Sequence, residues 1–224
     1  MSDHDPVLHS RKQRLFPIAR LVARALFSLL FRLRVRGREN IPPHNAFVLL
    51  PKHQRWEDIP LLGLATPRSL HYVAKQELFS MPFFGWFLTA LGGIPLNRSR
   101  LMESRQSLRF IQELLGEEGE GLVVFPEGTY YRNRMGPGHV GLIRMIMSRS
   151  KVPFIPTGVR YEARGRHTEV QIKFGRPFYR DSSFNADLLV DQIMMEIARL
   201  SGYELAEKTS KSNESSHFSE SPFI

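Results

Sequence analysis

The chain predicts an α/β fold, a single mixed sheet flanked by helices, and three observations lead to it. Short apolar runs bounded by proline, glycine or polar turns alternate with longer amphipathic stretches, the pattern of strands feeding helices. Its 224 residues, 42% of them hydrophobic, suit one domain with one good core. No internal repeat, Walker loop or G-x-S-x-G elbow interrupts that pattern.

Taken in order, residues 1–34 stand apart from the rest of the chain. The first few are polar and predicted disordered. Residues 15–33 are dense in Leu, Phe, Ala and Val, yet Arg20, Arg24 and Arg32 recur at four- and eight-residue intervals along one helical stripe. Spanning a bilayer would bury those guanidiniums at high cost. The segment therefore predicts an amphipathic helix lying in a membrane interface, with Leu26, Phe27, Leu30 and Phe31 toward the acyl chains. Packing on the protein's own core is the alternative. Charges inside the apolar run also argue against a cleaved signal peptide.

Residues 35–203 form the predicted domain. Strands are expected at 33–37, 46–50, 70–74, 92–100, 122–125, 152–159 and 168–174, and helices from Ile59, over 101–115, from Leu142 and over 185–200. No side chain is charged between 78 and 97, where Phe79, Phe83, Phe84, Trp86 and Phe87 crowd together. Pro82, Gly85, Gly92, Gly93 and Pro95 break this stretch, leaving an unbroken helix of about a dozen residues, too short to span a membrane. Core packing, a pocket for a fatty chain and docking in lipid all stay open for it. From Glu204 a serine-rich polar tail, 204–224, is predicted disordered.

The formal net charge of +9 implies acidic partners: phosphorylated substrates, anionic headgroups or nucleic acid. Residues 1–40 hold nine Arg or Lys against three Asp or Glu, six of the nine excess charges. Nucleic acid fits poorly, because the aromatics cluster in apolar runs and not between basic residues. With no cysteine, disulfides, thiolate nucleophiles and Cys-ligated metals are excluded, which suits a reducing compartment.

One hexapeptide carries chemistry, His53-Gln54-Arg55-Trp56-Glu57-Asp58. Residues five apart sit roughly 140° around a helix from each other, and on opposite faces of a strand. Only a bend between elements brings His53 and Asp58 together. The strand before Pro51 and the helix from Ile59, with Asp58 near its N-terminus, supply that bend, and they set His53 at a strand's C-terminal edge, where open α/β sheets bind ligands. An imidazole held by a carboxylate is fixed in tautomer and can act as a general base near neutral pH. Further along, Arg98 and Arg100 end a strand beside a helix, good chemistry for a phosphate. Pro126-Glu127-Gly128-Thr129 leaves another strand: Gly128 allows close backbone approach, and Glu127 can bind substrate hydroxyls or hold an arginine. Arg132 and Arg134 extend the basic surface.

Four blocks thus stand in order: 53–58, 93–98, 125–129 and 152–159. Together they resemble the glycerolipid acyltransferase family, over roughly residues 35–180, and that order is more specific than any single block. The resemblance implies an α/β sheet with surrounding helices and a catalytic pair, His53 as base and Asp58 as its orienter. It implies a phosphate-binding Arg98, acceptor binding through Glu127 and Gly128, with Thr129 and Arg132 nearby, and a shaping role for Pro156. The chain also departs from the pattern. Lys52 stands where many members have asparagine, Arg55 replaces a frequent small residue, Tyr130-Tyr131 replaces Arg-Ser, and Gly136-Pro137-Gly138-His139 replaces a lysine-containing segment.

The reaction so implied moves a fatty acyl group from a thioester, on coenzyme A or acyl carrier protein, to the hydroxyl of a lysophospholipid, foremost 1-acyl-sn-glycerol-3-phosphate. It calls for no metal and no cofactor beyond the thioester co-substrate. The expected partners are a membrane phospholipid surface, the lysophospholipid acceptor and the acyl donor, with no nucleic acid, and the expected location is peripheral, on the cytoplasmic face. Acylation of a different lysolipid, and a non-catalytic lipid-binding module of the same fold, remain alternatives.

Overall fold

The computed structural model describes residues 27, 29–82, 84–97, 105–116, 119–138, 141–180 and 185–205. Within them lie seven strands: β1 (Phe31–Arg36), β2 (Phe47–Pro51), β3 (Leu70–Lys75), β4 (Gly93–Leu96), β5 (Gly121–Val123), β6 (Phe154–Arg164) and β7 (His167–Phe174). They form one sheet in the order β1-β7-β6-β2-β5-β3-β4. The β6–β7 hairpin is antiparallel and every other neighbouring pair is parallel, so the sheet is mixed, as the sequence predicts. Around it, among the described residues, stand α1 (Asp58–Ala65), α2 (Phe84–Ala90), α3 (Arg105–Gly116), α4 (Gly141–Arg149) and α5 (Ala186–Ser201).

Strand β2 is central, and all five of its residues are buried because β5 and β6 flank it and helices cover both faces. Its alternation sorts the core. Val48 and Leu50 meet α3, α4 and α5 through residues such as Leu114, Ile143 and Ile197. Phe47 and Leu49 meet α1 and α2 through Leu62 and Leu88. Strand ends stay polar-capable, so the C-terminal edge of β2, between its two parallel neighbours, is where a site can form.

Several boundaries move. The helix expected to reach Leu33 gives way at Phe31, because Phe-Arg-Leu-Arg-Val-Arg alternates with the period of a strand, its three arginines exposed and its three apolar residues half-buried. The sheet therefore begins inside the segment 1–34. Phe27, Leu29 and Leu30 are helical, and the rest of the predicted interfacial helix lies outside the described residues, as does the tail beyond Leu205. The unbroken dozen-residue helix in the uncharged stretch is instead a 3-10 turn, Gln76–Ser80, followed by the seven-residue α2. Gly85 explains the tight join, since a Cβ there would lie 2.2 Å from the carbonyl oxygen of Phe79. Strand β4 stops at Leu96, and Arg98 lies outside the described residues. No helix among the described residues is long and apolar enough to cross a membrane.

Gly158 marks where β6 and α5 touch. A Cβ at that position would fall 2.5 Å from the carbonyl carbon of Leu200, a backbone atom that cannot swing aside. Gly158→Ala is therefore expected to push α5 off the sheet and to destabilise the protein by about 1–3 kcal/mol. A urea midpoint lowered accordingly checks it.

Candidate active site

The loop leaving β2 begins with three consecutive polar residues, Lys52, His53 and Gln54, all buried. Each has its own set of partners. The Nδ1 of His53 lies 3.0 Å from Asp58 Oδ2. That carboxylate is fully buried at the first residue of α1, and Oδ2 also accepts the backbone N–H groups of Gln54 at 2.6 Å and Arg55 at 2.9 Å. Its other oxygen, Oδ1, accepts the hydroxyl of Tyr161 on β6 at 2.6 Å. The bend that the sequence requires is thus closed by one carboxylate gathering four donors. A buried charge is tolerated where donors surround it in this way.

The imidazole itself is held between aromatic rings. Phe125 stacks on it with centroids 3.7 Å apart, and Tyr130 meets it edge-on at 4.3 Å. His53 is only 8% exposed. With Nδ1–H donating to Asp58, the lone pair is on Nε2, and this is the atom at which the ring can take a proton. Burial, together with the negative charges of Asp58 and Glu57, pushes the Tyr130 hydroxyl up to about 12, so it stays protonated beside the imidazole.

A second buried charge pair fixes the backbone of His53. The Lys52 ammonium donates to Glu127 Oε2 at 2.7 Å, to the His53 carbonyl at 2.8 Å and to the Tyr131 carbonyl at 2.7 Å, using all three of its protons. Glu127 accepts the His53 N–H at 3.0 Å on the same oxygen, and the Gly136 N–H at 2.5 Å on Oε1. Tyr131 N–H closes the loop on the His53 carbonyl at 3.0 Å. Burial pulls the lysine below its ordinary value and pushes the glutamate above its own, while each partner's charge opposes the shift of the other. Gln54 completes the frame by donating to the Val159 carbonyl at 2.7 Å and accepting the Asn133 N–H at 2.9 Å.

The predicted site residues therefore separate. His53 and Asp58 come together. Glu127 is fully buried with both oxygens on protein donors, which makes it a brace under His53 and closes it to a substrate hydroxyl; what it holds is a lysine, not an arginine. Gly128 adopts φ 70°, the left-handed turn that brings Glu127 back under the loop, and Thr129 follows it half-buried. Arg132 is exposed on the same loop. Pro156 is buried within β6, in register with Leu50 and close to Gly175, so it braces the strand. Lys52, Gln54, Phe125 and Tyr161 were not among the predicted site residues, and only the polarity of Lys52 and Gln54 after a buried strand could have signalled them.

The family model described as Acyltransferase matches residues 32–160, over half of the chain, and spans His53, Asp58, Lys52 and Glu127, ending one residue before Tyr161. The chain belongs to the acyltransferase family. The chain is 28% identical, over 162 residues, to the 1-acyl-sn-glycerol-3-phosphate acyltransferase of Bacillus subtilis, covering 70% of this chain and 79% of that protein. It is 29% identical over 205 residues to the chloroplastic 1-acyl-sn-glycerol-3-phosphate acyltransferase of Brassica napus, covering 86% of this chain and 58% of that longer protein. Its fold matches the crystal structure of the 1-acyl-sn-glycerophosphate acyltransferase from Thermotoga maritima with a TM-score of 0.65 at 22% identity, over 85% of this chain and 80% of that one.

Lys52→Met leaves Glu127 buried without its counter-charge and is expected to cost about 3–5 kcal/mol near neutral pH. The upward push of burial on Glu127, whose ordinary value is 4.5, is then opposed only by the N–H groups of Gly136 and His53. A carboxyl raised on folding stabilises the fold below its unfolded pKa, and that stability is lost as pH rises toward the folded one. The variant should accordingly be closest to the native protein in stability at the acid end of a pH 4.5–8 series of denaturant melts, and furthest from it at pH 8.

Proposed function

We propose that this acyltransferase transfers a fatty acyl group from a thioester to the hydroxyl of a lysophospholipid, with 1-acyl-sn-glycerol-3-phosphate as the acceptor and phosphatidate as the product. The observation that carries the reading is the His53–Asp58 contact at 3.0 Å inside the matched region. The names of the Bacillus and Brassica relatives support the choice of acceptor. In this reaction Nε2 of His53 removes the acceptor's hydroxyl proton as that oxygen attacks the thioester carbonyl. Asp58 stabilises the imidazolium that forms. The tetrahedral adduct then expels the thiolate, which receives the proton from the imidazolium. Atoms balance without a covalent acyl-enzyme, in keeping with a chain that has no cysteine. Arg98, one residue beyond Asn97 at the end of β4, is proposed to hold the acceptor phosphate, with Arg132 beside the His53 loop as a second cation; such contacts orient the hydroxyl as well as bind it. The donor is the acyl thioester of coenzyme A or of acyl carrier protein, and neither requires a further cofactor.

The reaction's acceptor lives in a membrane, and a peripheral attachment of the protein to a phospholipid surface fits the outer features of the fold, with the cytoplasmic face as the proposed side. Leu29 and Leu30 are 69% and 63% exposed. Phe27, in the same helical turn, meets the ring of Trp56 at 6.3 Å, and Trp56 lies between His53 and Asp58 in sequence. The exposed arginines of β1, Arg32, Arg34 and Arg36, come directly after, giving an apolar edge with a basic border suited to anionic headgroups.

His53→Ala is expected to lower acyl transfer from an acyl thioester to lysophosphatidate by about 10²–10⁴-fold, measured as thiol release that depends on added acceptor. Turnover close to that of the native protein would remove His53 as the base. For the surface, Leu29→Ser/Leu30→Ser is expected to weaken binding to vesicles containing anionic phospholipid by at least about tenfold, since each leucine contributes roughly 1.5–3 kcal/mol when buried. Co-sedimentation with vesicles measures it, and equal binding would place attachment elsewhere.

A further inference from the structure

Asp58 is held from the far side as well as from the side of the base. Three of its donors, the His53 ring and the N–H groups of Gln54 and Arg55, come from the loop that the histidine itself belongs to and converge on Oδ2. The fourth comes from a different element, and it is alone among the four on Oδ1: the Tyr161 hydroxyl, from β6, at 2.6 Å. That residue lies beyond the four blocks and beyond residue 160, where the family match ends. Its ring is fixed independently of the hydroxyl. Phe31 of β1 meets it edge-on at 6.4 Å, the Arg55 guanidinium lies over its face at 4.5 Å, and the side chain is buried.

We infer that Tyr161 is a positioning residue for the acyl transfer, acting through Asp58 to set both the orientation and the basicity of His53. The inference rests on the proposed role of His53 as base. A carboxylate that shares its charge with a hydroxyl proton on Oδ1 pulls less strongly on the imidazole at Oδ2. The Tyr161 hydroxyl therefore keeps the imidazolium from being over-stabilised, so that His53 stays neutral, and able to accept a proton, to lower pH. It also prevents the carboxyl group from rotating, because both oxygens are tied. The other charged and titratable groups around the pair are Lys52, Arg55 and Glu57 on the same loop and Tyr130 and Glu127 on the loop after β5. None of them donates to Oδ1 among the described residues.

Tyr161→Phe removes the hydroxyl and keeps the ring, its Phe31 edge and its Arg55 face. Following the His53 ring by NMR through a pH titration of the full chain, with the resonance assigned by its loss in His53→Gln, reads the effect without any substrate. The midpoint is expected to rise by roughly half a unit, less than the full worth of a bond to a charged group, because the ring feels the loss only through the shared carboxylate. In the acyl-transfer assay, kcat is expected to fall about tenfold, with the KM of acceptor and donor within about twofold and the acid limb of the pH profile moved to higher pH. In an Asp58→Asn background the same change should cost less than about twofold, because the path through the carboxylate is already cut. An unmoved His53 midpoint would overturn the inference, as would a full tenfold loss in the Asp58→Asn background. A native protein that transfers no acyl group would instead refute the proposed function, and the titration would still decide what Tyr161 does to His53.

Discussion

The Asp58 carboxylate is the group on which the arrangement turns. It is fully buried, and an ionised carboxylate out of contact with water costs several kcal/mol unless donors replace the lost solvent. Those donors cannot be supplied by α1 alone. They require the chain leaving β2 to curl over the head of the helix, so that two successive N–H groups and the imidazole of His53 point at one oxygen, and they require β6 to lie alongside β2 so that Tyr161 reaches the other. The geometry of a reacting histidine and the satisfaction of a buried charge are therefore one problem with one solution.

The second buried charge solves a different problem, that of attaching one loop to another. The segment after β5 has no regular structure, and by itself it would be free to lift from the sheet edge. Glu127 pins it by three bonds, to Lys52, to the His53 backbone and to the Gly136 backbone, while Lys52 reaches on to Tyr131. The pair lies immediately beneath the residue whose position matters most. Lys52, His53 and Gln54 show how compactly this is done: in an extended stretch, three successive side chains turn to the β5 loop, to α1 and to β6 in turn. The apolar centre of β2 thereby becomes a polar site within three residues.

Much of this was legible in the sequence, and the limits have physical causes. Alternating or continuous apolar runs identified the strands, and the five-residue spacing identified a bend, because both are local properties of the chain. Partners far apart in sequence were not legible. Tyr161 is 103 residues from Asp58 and Gln54 is 105 from Val159, so only the order of strands in the sheet brings them together. For Glu127 the sequence offers either substrate binding or the holding of an arginine, since nothing local distinguishes a carboxylate aimed at solvent from one aimed at Lys52. The edge of the first helix was overrun because residues 31–33 are as apolar and basic as those before them, and the switch in period from helix to strand shows only when the three alternate pairs are read through to Arg36.

The pairing of β1 with β7 carries a consequence for biosynthesis. Strand β1 is at the edge of the sheet and has β7 as its one neighbour, with Phe31 opposite Thr168. A ribosome delivers β1 about 130 residues before β7, and throughout that interval residues 31–36 have no strand to join. During that interval the apolar residues of β1 and of the segment before it are available to whatever surface lies close to the tunnel exit. Completion of the β6–β7 hairpin is the event that withdraws them, because β7 is the strand that β1 joins.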